Sequence, residues 1–94
     1  MLFLLIKALA DLLRMPTCKL KILKLDWNLI RLDGGIDLAS SVAVNNTLTY
    51  LDLSYNALGT NGGITLGVSI LKNTSLETLI LQNNGLDSIG IIIW

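Results

Sequence analysis

The chain repeats itself at a spacing of 28 residues, and that spacing constrains its architecture more than any other property. Leu20-Lys21-Ile22-Leu23-Lys24-Leu25-Asp26-Trp27-Asn28-Leu29-Ile30 aligns with Leu48-Thr49-Tyr50-Leu51-Asp52-Leu53-Ser54-Tyr55-Asn56-Ala57-Leu58. Both align with Leu76-Glu77-Thr78-Leu79-Ile80-Leu81-Gln82-Asn83-Asn84-Gly85-Leu86. Each segment reads L-x-x-L-x-L-x-x-N-x-(L/I). A period of this length calls for a stack of similar units that each touch their neighbours, not for one central core. A stack offers a long surface and few concave pockets.

Within the middle unit, Leu51 and Leu53 alternate with Tyr50, Asp52 and Ser54, which predicts a short half-buried strand. Gly59-Thr60-Asn61-Gly62-Gly63 is expected to break regular structure. Ile64, Leu66, Gly67, Ile70 and Leu71 then recur at three- and four-residue spacing, which predicts a short helix. Asn73 and Thr74 end it, asparagine being one of the few residues that tolerates a left-handed helix C-terminus. The preceding unit follows the same plan through Gly34, Gly35, Ile36, Leu38, Ala39, Val42 and Asn45. Small residues at Ala39 and Gly67 share one helix position, where neighbouring helices are expected to approach closely.

At the N-terminus, Leu2, Leu5, Leu9, Leu12 and Leu13 form a helical stripe spaced by Lys7, Asp11 and Arg14. This unit fits the period with one extra residue near Met15-Pro16, at the helix end, where a proline is tolerated. Met1–Ile6 with Ala8-Leu9-Ala10 looks like a signal peptide, but it lacks a basic n-region and its apolar run is short, so it is read as a helix. No apolar run approaches the ~18 residues of a membrane span. The expected units are 1–19 (a helix), 20–47, 48–75 and an incomplete 76–94, together one domain. Strands stack ~4.8 Å apart and helices are ~10 Å across. The helix side must therefore splay, which puts the strands on a concave face and the helices on a convex one.

The quoted segments, with Gly62-Gly63, Leu66-Gly67 and Asn73-Thr74-Ser75, resemble the ribonuclease-inhibitor-like class of leucine-rich repeats over nearly the whole chain. The resemblance implies an α/β, right-handed solenoid, here a piece of a horseshoe, with parallel strands inside and helices outside. It also implies an intracellular, cytoplasmic protein that grips other macromolecules. The class includes ribonuclease inhibitors, sensor regions of nucleotide-binding immune receptors, Ran GTPase-activating proteins and tropomodulin-like ends. Two features depart from it. Trp94 falls at the position of Leu66, so most of the third helix is missing, and Ile91-Ile92-Ile93-Trp94 is β-branched where an amphipathic helix should begin. The chain is accordingly expected to be a fragment of a longer array or a truncated gene product. It is expected to self-associate through the open parallel edge around Leu79 to Gln82, with Leu86 and Ile89 to Trp94 uncovered beside it.

Composition narrows the chemistry. The 94 residues are 52% apolar and 15% charged, with seven basic and seven acidic side chains. That excludes a disordered chain and argues against nucleic-acid binding. There is no histidine and one cysteine, so Ser-His-Asp and Cys-His catalysis, Cys/His zinc sites and an internal disulfide are all ruled out. No cofactor and no metal is expected. The glycine clusters at 34–35 and 59–63 lack a P-loop or G-x-G-x-x-G register and read as turns. Asn45-Asn46-Thr47 and Asn73-Thr74-Ser75 match the glycosylation pattern but recur as equivalent loop positions. Cys18 reads as an inert thiol.

The strand face carries the candidate site. Its rows are Ile22, Tyr50, Thr78; Lys24, Asp52, Ile80; and Asp26, Ser54, Gln82, with Trp27, Tyr55 and Asn83 just beyond. Partner contacts are expected from Ile22, Lys24, Asp26, Trp27, Tyr50, Asp52, Ser54, Tyr55, Ile80 and Gln82. Trp27 and Tyr55 are the expected anchors, since aromatics dominate interface hot spots, although neighbouring rings can also simply pack on each other. Lys24 and Asp52 are placed to pair across strands. Asn28, Asn56 and Asn84 are expected to form a structural ladder that satisfies backbone groups. The helix segments offer Asp37, Ser40, Ser41, Thr65, Ser69 and Lys72, expected to be a solvated surface. The function this predicts is non-catalytic protein–protein interaction. An enzymatic alternative is GTPase activation of the Ran type, with Arg31 as the arginine in a loop after a strand. A truncated product without independent function is a third.

Overall fold

The computed structural model describes residues 2–28, 30, 32–82, 84 and 91–93. The elements are α1 (Leu2–Arg14), β1 (Ile22–Lys24), α2 (Leu32–Ser41), β2 (Tyr50–Asp52), α3 (Gly59–Lys72), β3 (Thr78–Ile80) and β4 (Ile91–Ile93). One sheet has the order β1-β2-β3-β4, and the helices pack in sequence, α1 on α2 and α2 on α3. Three parallel strands and three helices make a small α/β stack; a horseshoe arc does not emerge over this length.

The 28-residue period sets the strand register. Ile22 pairs with Tyr50 and Tyr50 with Thr78, all parallel. The backbone ladder runs past the three-residue strands on both sides. Thr49 N–H donates to Lys21 O at 2.8 Å and Glu77 N–H to Thr49 O at 2.9 Å. Beyond the strands, Leu25 N–H donates to Asp52 O at 2.8 Å and Leu53 N–H to Ile80 O at 2.9 Å. Alternation then sends Leu51 and Leu79 inward while Tyr50, Asp52, Thr78 and Ile80 stay half-buried on the other side.

The core lies between sheet and helices. Leu48, Leu51 and Leu53 are 0% exposed, and Leu76, Leu79 and Leu81 at most 3%. Ile6, Ala10 and Leu13 from α1 and Leu38, Ala39 and Val42 from α2 close the other side. Each fully buried leucine contributes roughly 1.5–3 kcal/mol. Leu20, Leu23 and Leu25, the same positions in the first unit, are only partly buried, because β1 has a neighbouring strand on one side only.

Four expectations are corrected here. The edge beside β3 is not left open to another chain: β4 pairs antiparallel with it, Thr78 opposite Ile93 and Ile80 opposite Ile91. Residues 59–63 do not interrupt the chain but form the first turn of α3, and Gly34-Gly35 lie inside α2. Of these glycines only Gly59 has a positive φ, +66°, at the turn into the helix. Ala39 is fully buried, but the close approach expected at Gly67 does not occur there; the tight contacts lie at Gly35 of α2 and Gly62 of α3. A Cβ on Gly35 would come within 3.0 Å of Leu58 Cδ2, and one on Gly62 within 3.0 Å of Leu58 Cβ, whereas one on Gly67 would meet nothing within 4 Å. Asn73 is extended, φ −77° and ψ 139°, not left-handed.

The helix side is also less polar than expected. Ser41 and Ser69 are buried, and Ser40 and Asp37 bind Arg14 of α1. Arg14 Nη2 donates to Asp37 Oδ1 at 2.8 Å, to Asp37 O at 2.9 Å and to Ser40 Oγ at 2.6 Å, tying α1 to α2. Leu4, Leu5, Leu12 and Met15 of the first unit and Ile64, Val68 and Leu71 of α3 are exposed instead. Among the described residues, no helix is long and apolar enough to cross a membrane.

Candidate functional site on the strand face

The chain turns sharply after β1 and after β2, and in both the turn residue is an aromatic held in the left-handed region: φ is +63° at Trp27 and +56° at Tyr55. Such a conformation costs an L-residue roughly 1–2 kcal/mol. Hydrogen bonds from the next unit's register hold it in place, Trp27 N–H to Ser54 O at 3.0 Å and Tyr55 N–H to Gln82 O at 2.7 Å. Because the same turn recurs 28 residues on, the two rings stand side by side, stacked with centroids 3.9 Å apart and planes 5° from parallel. The stack covers little of the indole: Trp27 remains 70% exposed, and Tyr55 is half-buried.

The rows below the rings are brought together as the alignment implies. Ile22, 58% exposed, Lys24 and Gln82 are exposed, while Tyr50, Asp52, Ile80 and Asp26 are half-buried. Two details differ. Lys24 and Asp52 are register partners, but Asp52 Oδ1 accepts the N–H of Ser54 at 2.9 Å and so fixes its own turn. Lys24 instead sets its Nζ 5.7 Å from the Tyr50 ring centroid, within reach of a cation–π attraction. Ser54 is not presented at all. It is 3% exposed, its carbonyl accepts from Trp27 and Asn56, and its Oγ has no hydrogen-bond partner among the described residues.

The asparagine ladder holds the turns. Asn56 Oδ1 accepts from Asn28 N–H at 3.0 Å and Ile30 N–H at 2.9 Å, and its Nδ2 donates to Leu25 O and Leu53 O at 2.9 Å and to Ser54 O at 3.2 Å. Asn84 does the same one unit on, with Nδ2 donating to Leu53 O and Leu81 O and Oδ1 facing Leu58 N–H at 3.4 Å. Asn28 is different. It is exposed, and its Nδ2 reaches only Asp26 O of its own turn, since α1 places no strand turn beside it.

A second ladder runs along the other end of the strands. Asn45 Oδ1 accepts from Thr47 and Leu48 N–H, and Asn73 Oδ1 from Ser75 and Leu76 N–H. Asn73 Nδ2 crosses back to Val42 O and Asn45 O at 2.9 Å, and Asn45 Nδ2 crosses to Leu13 O at 3.1 Å. The signal for it in the sequence is the 28-residue interval between Asn45 and Asn73, the same interval that separates Asn56 and Asn84. Cys18 is buried with its sulfur 3.7 Å from Asn45 Nδ2 and 3.8 Å from Thr47 Oγ1, so the thiol is packed into this network.

No group of acidic or cysteine side chains that could hold a metal ion occurs among the described residues. Arg31 and Asn83 lie outside the described residues. In comparisons with known proteins, a family model described as Leucine Rich repeat matches residues 44–67 and 72–92, about half of the chain. Neither a curated protein nor a solved structure matches it.

Proposed function

On the footing that this is a leucine-rich repeat protein, we propose that it docks a protein partner along its strand face, without chemistry of its own, using the Trp27–Tyr55 stack as the anchor. Leucine-rich repeat domains generally mediate protein–protein interaction. The observation that carries the reading is the stack itself. Two aromatics are held by left-handed turns and inter-unit hydrogen bonds, stacked 3.9 Å apart, yet the indole stays 70% exposed. Rings held only for packing would be covered. A pre-ordered aromatic surface loses little entropy on binding, which is why such residues concentrate interface energy. Below it, Ile22, Lys24, Asp26, Tyr50, Asp52, Ile80 and Gln82 supply a mixed polar and apolar floor. Ser54 serves that floor only through its backbone. The 28-residue period, with a helix in each of the units 20–47 and 48–75, supports assignment to the ribonuclease-inhibitor-like class. A cytoplasmic setting belongs to the same reading, and the free thiol of Cys18 is compatible with it.

The experiment uses binders selected from a display library against the folded chain. Trp27→Ala and Tyr55→Ala should each weaken their affinity at least about tenfold, or ~1.4 kcal/mol. Asn61→Ala, on the exposed side of α3, should leave it unchanged. Binders that tolerate the ring losses and fail on Asn61→Ala would place recognition on the helices and overturn the proposal. Ser40 and Ser69 are unsuitable controls, one bonded to Arg14 and the other buried.

A further inference from the structure

The outer face of α3 carries an uncovered apolar stripe. Ile64, Val68 and Leu71 are 61%, 50% and 87% exposed, and their spacing of four and three residues sets them on one side of the helix. Gly67 lies within that side, exposed, with open space where a Cβ would stand. One period earlier, the position of Gly67 is Ala39, which is 0% exposed. Ala39 sits one turn after Gly35, which touches Leu58 at the start of α3. In the preceding unit, then, the side that bears Gly35 and Ala39 packs against the start of α3, while Ser40, the position of Val68, bonds Arg14 of α1. A further unit of the same kind would bring such a helix together with a parallel strand beside β3. β4 already occupies the sheet position beside β3, and it runs antiparallel.

The stripe is self-complementary. Ile64 lies three residues before Gly67 and Leu71 three after Val68, so the pattern is symmetric about the Gly67-Val68 bond. Two such helices crossing antiparallel on a two-fold axis at that point would set each copy's Ile64 against the other's Leu71. The two glycines would let the backbones approach. Charge selects the same arrangement. Lys72 ends the stripe, and an antiparallel crossing keeps the two lysines at opposite ends. The exposed apolar residues of the first unit, Leu4, Leu5, Leu12 and Met15, are a poorer seat. The exposed Lys7 and Asp11 border them on one side and would be partly desolvated by a partner there. Two-fold dimers are also the commonest closed assembly.

We propose that the Ile64-Gly67-Val68-Leu71 face of α3 binds the same face of a second copy of this chain, forming an antiparallel two-fold dimer that leaves the strand face free. Sedimentation of the full chain at tens of micromolar should show a dimer. Gly67→Gln adds an exposed side chain whose Cβ meets nothing within 4 Å, so its circular dichroism should match the parent. Its dimer should dissociate at a concentration at least about tenfold higher. Val68→Cys should cross-link on mild oxidation, because the two copies of residue 68 meet near the axis while Cys18 is buried. A chain that stays monomeric at that concentration overturns the proposal. So does a dimer that survives Gly67→Gln, fails to cross-link through residue 68 and is dissolved by Leu5→Lys with Leu12→Lys.

Discussion

Two asparagines of the same repeat position, Asn28 and Asn56, differ in what their loss should cost. Asn56 is 8% exposed and satisfies two N–H groups and three carbonyls across two units. Asn56→Ala leaves several of them unpaired and should destabilise the chain by about 2 kcal/mol or more. Asn28→Ala removes one exposed bond and should fall within ~0.5 kcal/mol. Urea midpoints compare the two, and equal midpoints would show that the ladder does not bear on stability. The aromatic turns invite a second comparison. At a φ of +63°, Trp27→Gly should be more stable than Trp27→Ala by about 1 kcal/mol, the reverse of the usual ranking, because only alanine keeps the strain. Thermal melts of the pair decide it, and a more stable alanine variant would mean that the turn relaxes once the ring is gone. At this scale the sequence alignment located both rings and both central asparagines. It could not show that Ser54 is buried, since its neighbours Asp26 and Gln82 remain accessible and alternation alone treats all three alike.

At the scale of elements, the strands were legible and the helix starts were not. The leucine alternation sets β1 to β3 at their observed positions and their 28-residue register. The start of α3 falls five residues before the expected Ile64, because Gly59 to Gly63 reads as a breaker by composition. In the folded chain, Gly62 is small because Leu58 crosses it, and helical geometry tolerates the cost. Gly62→Ala, whose Cβ would meet Leu58 Cβ at 3.0 Å, should therefore destabilise α3 despite alanine's better helix propensity. Gly67→Ala meets no neighbour and should stabilise the monomer by up to ~1 kcal/mol. Melting temperatures at low concentration test the opposed signs. A gain from both substitutions would mean that Leu58 moves aside. The antiparallel β4 was hidden for another reason. A repeat alignment projects the third unit's own helix onto the Ile91–Ile93 region, while three β-branched residues in a row favour an extended chain.

Across the whole molecule, burial falls off toward β1. The leucines of the middle unit are sealed, and those of the first unit are partly open. Amide exchange should therefore be slowest at Leu51 and Leu53 and much faster at Leu23 and Leu25. Equal rates would mean that the chain opens only as a whole. The cross-unit bonds of both ladders share a direction. Asn56 reaches the turn of Asn28 to Ile30, Asn73 reaches Val42 and Asn45, and Asn84 reaches Leu53. Each unit is thus completed by the one translated after it. On the ribosome the amides of Asn28 and Ile30 must wait for Asn56, 28 and 26 residues later in synthesis, before they gain their partner. Nascent chains stalled far enough beyond Asn56 for it to have left the exit tunnel should protect Ile30 from exchange, and those stalled before it should not. Folding during translation would then advance in steps of one period, each step closing the unit behind it.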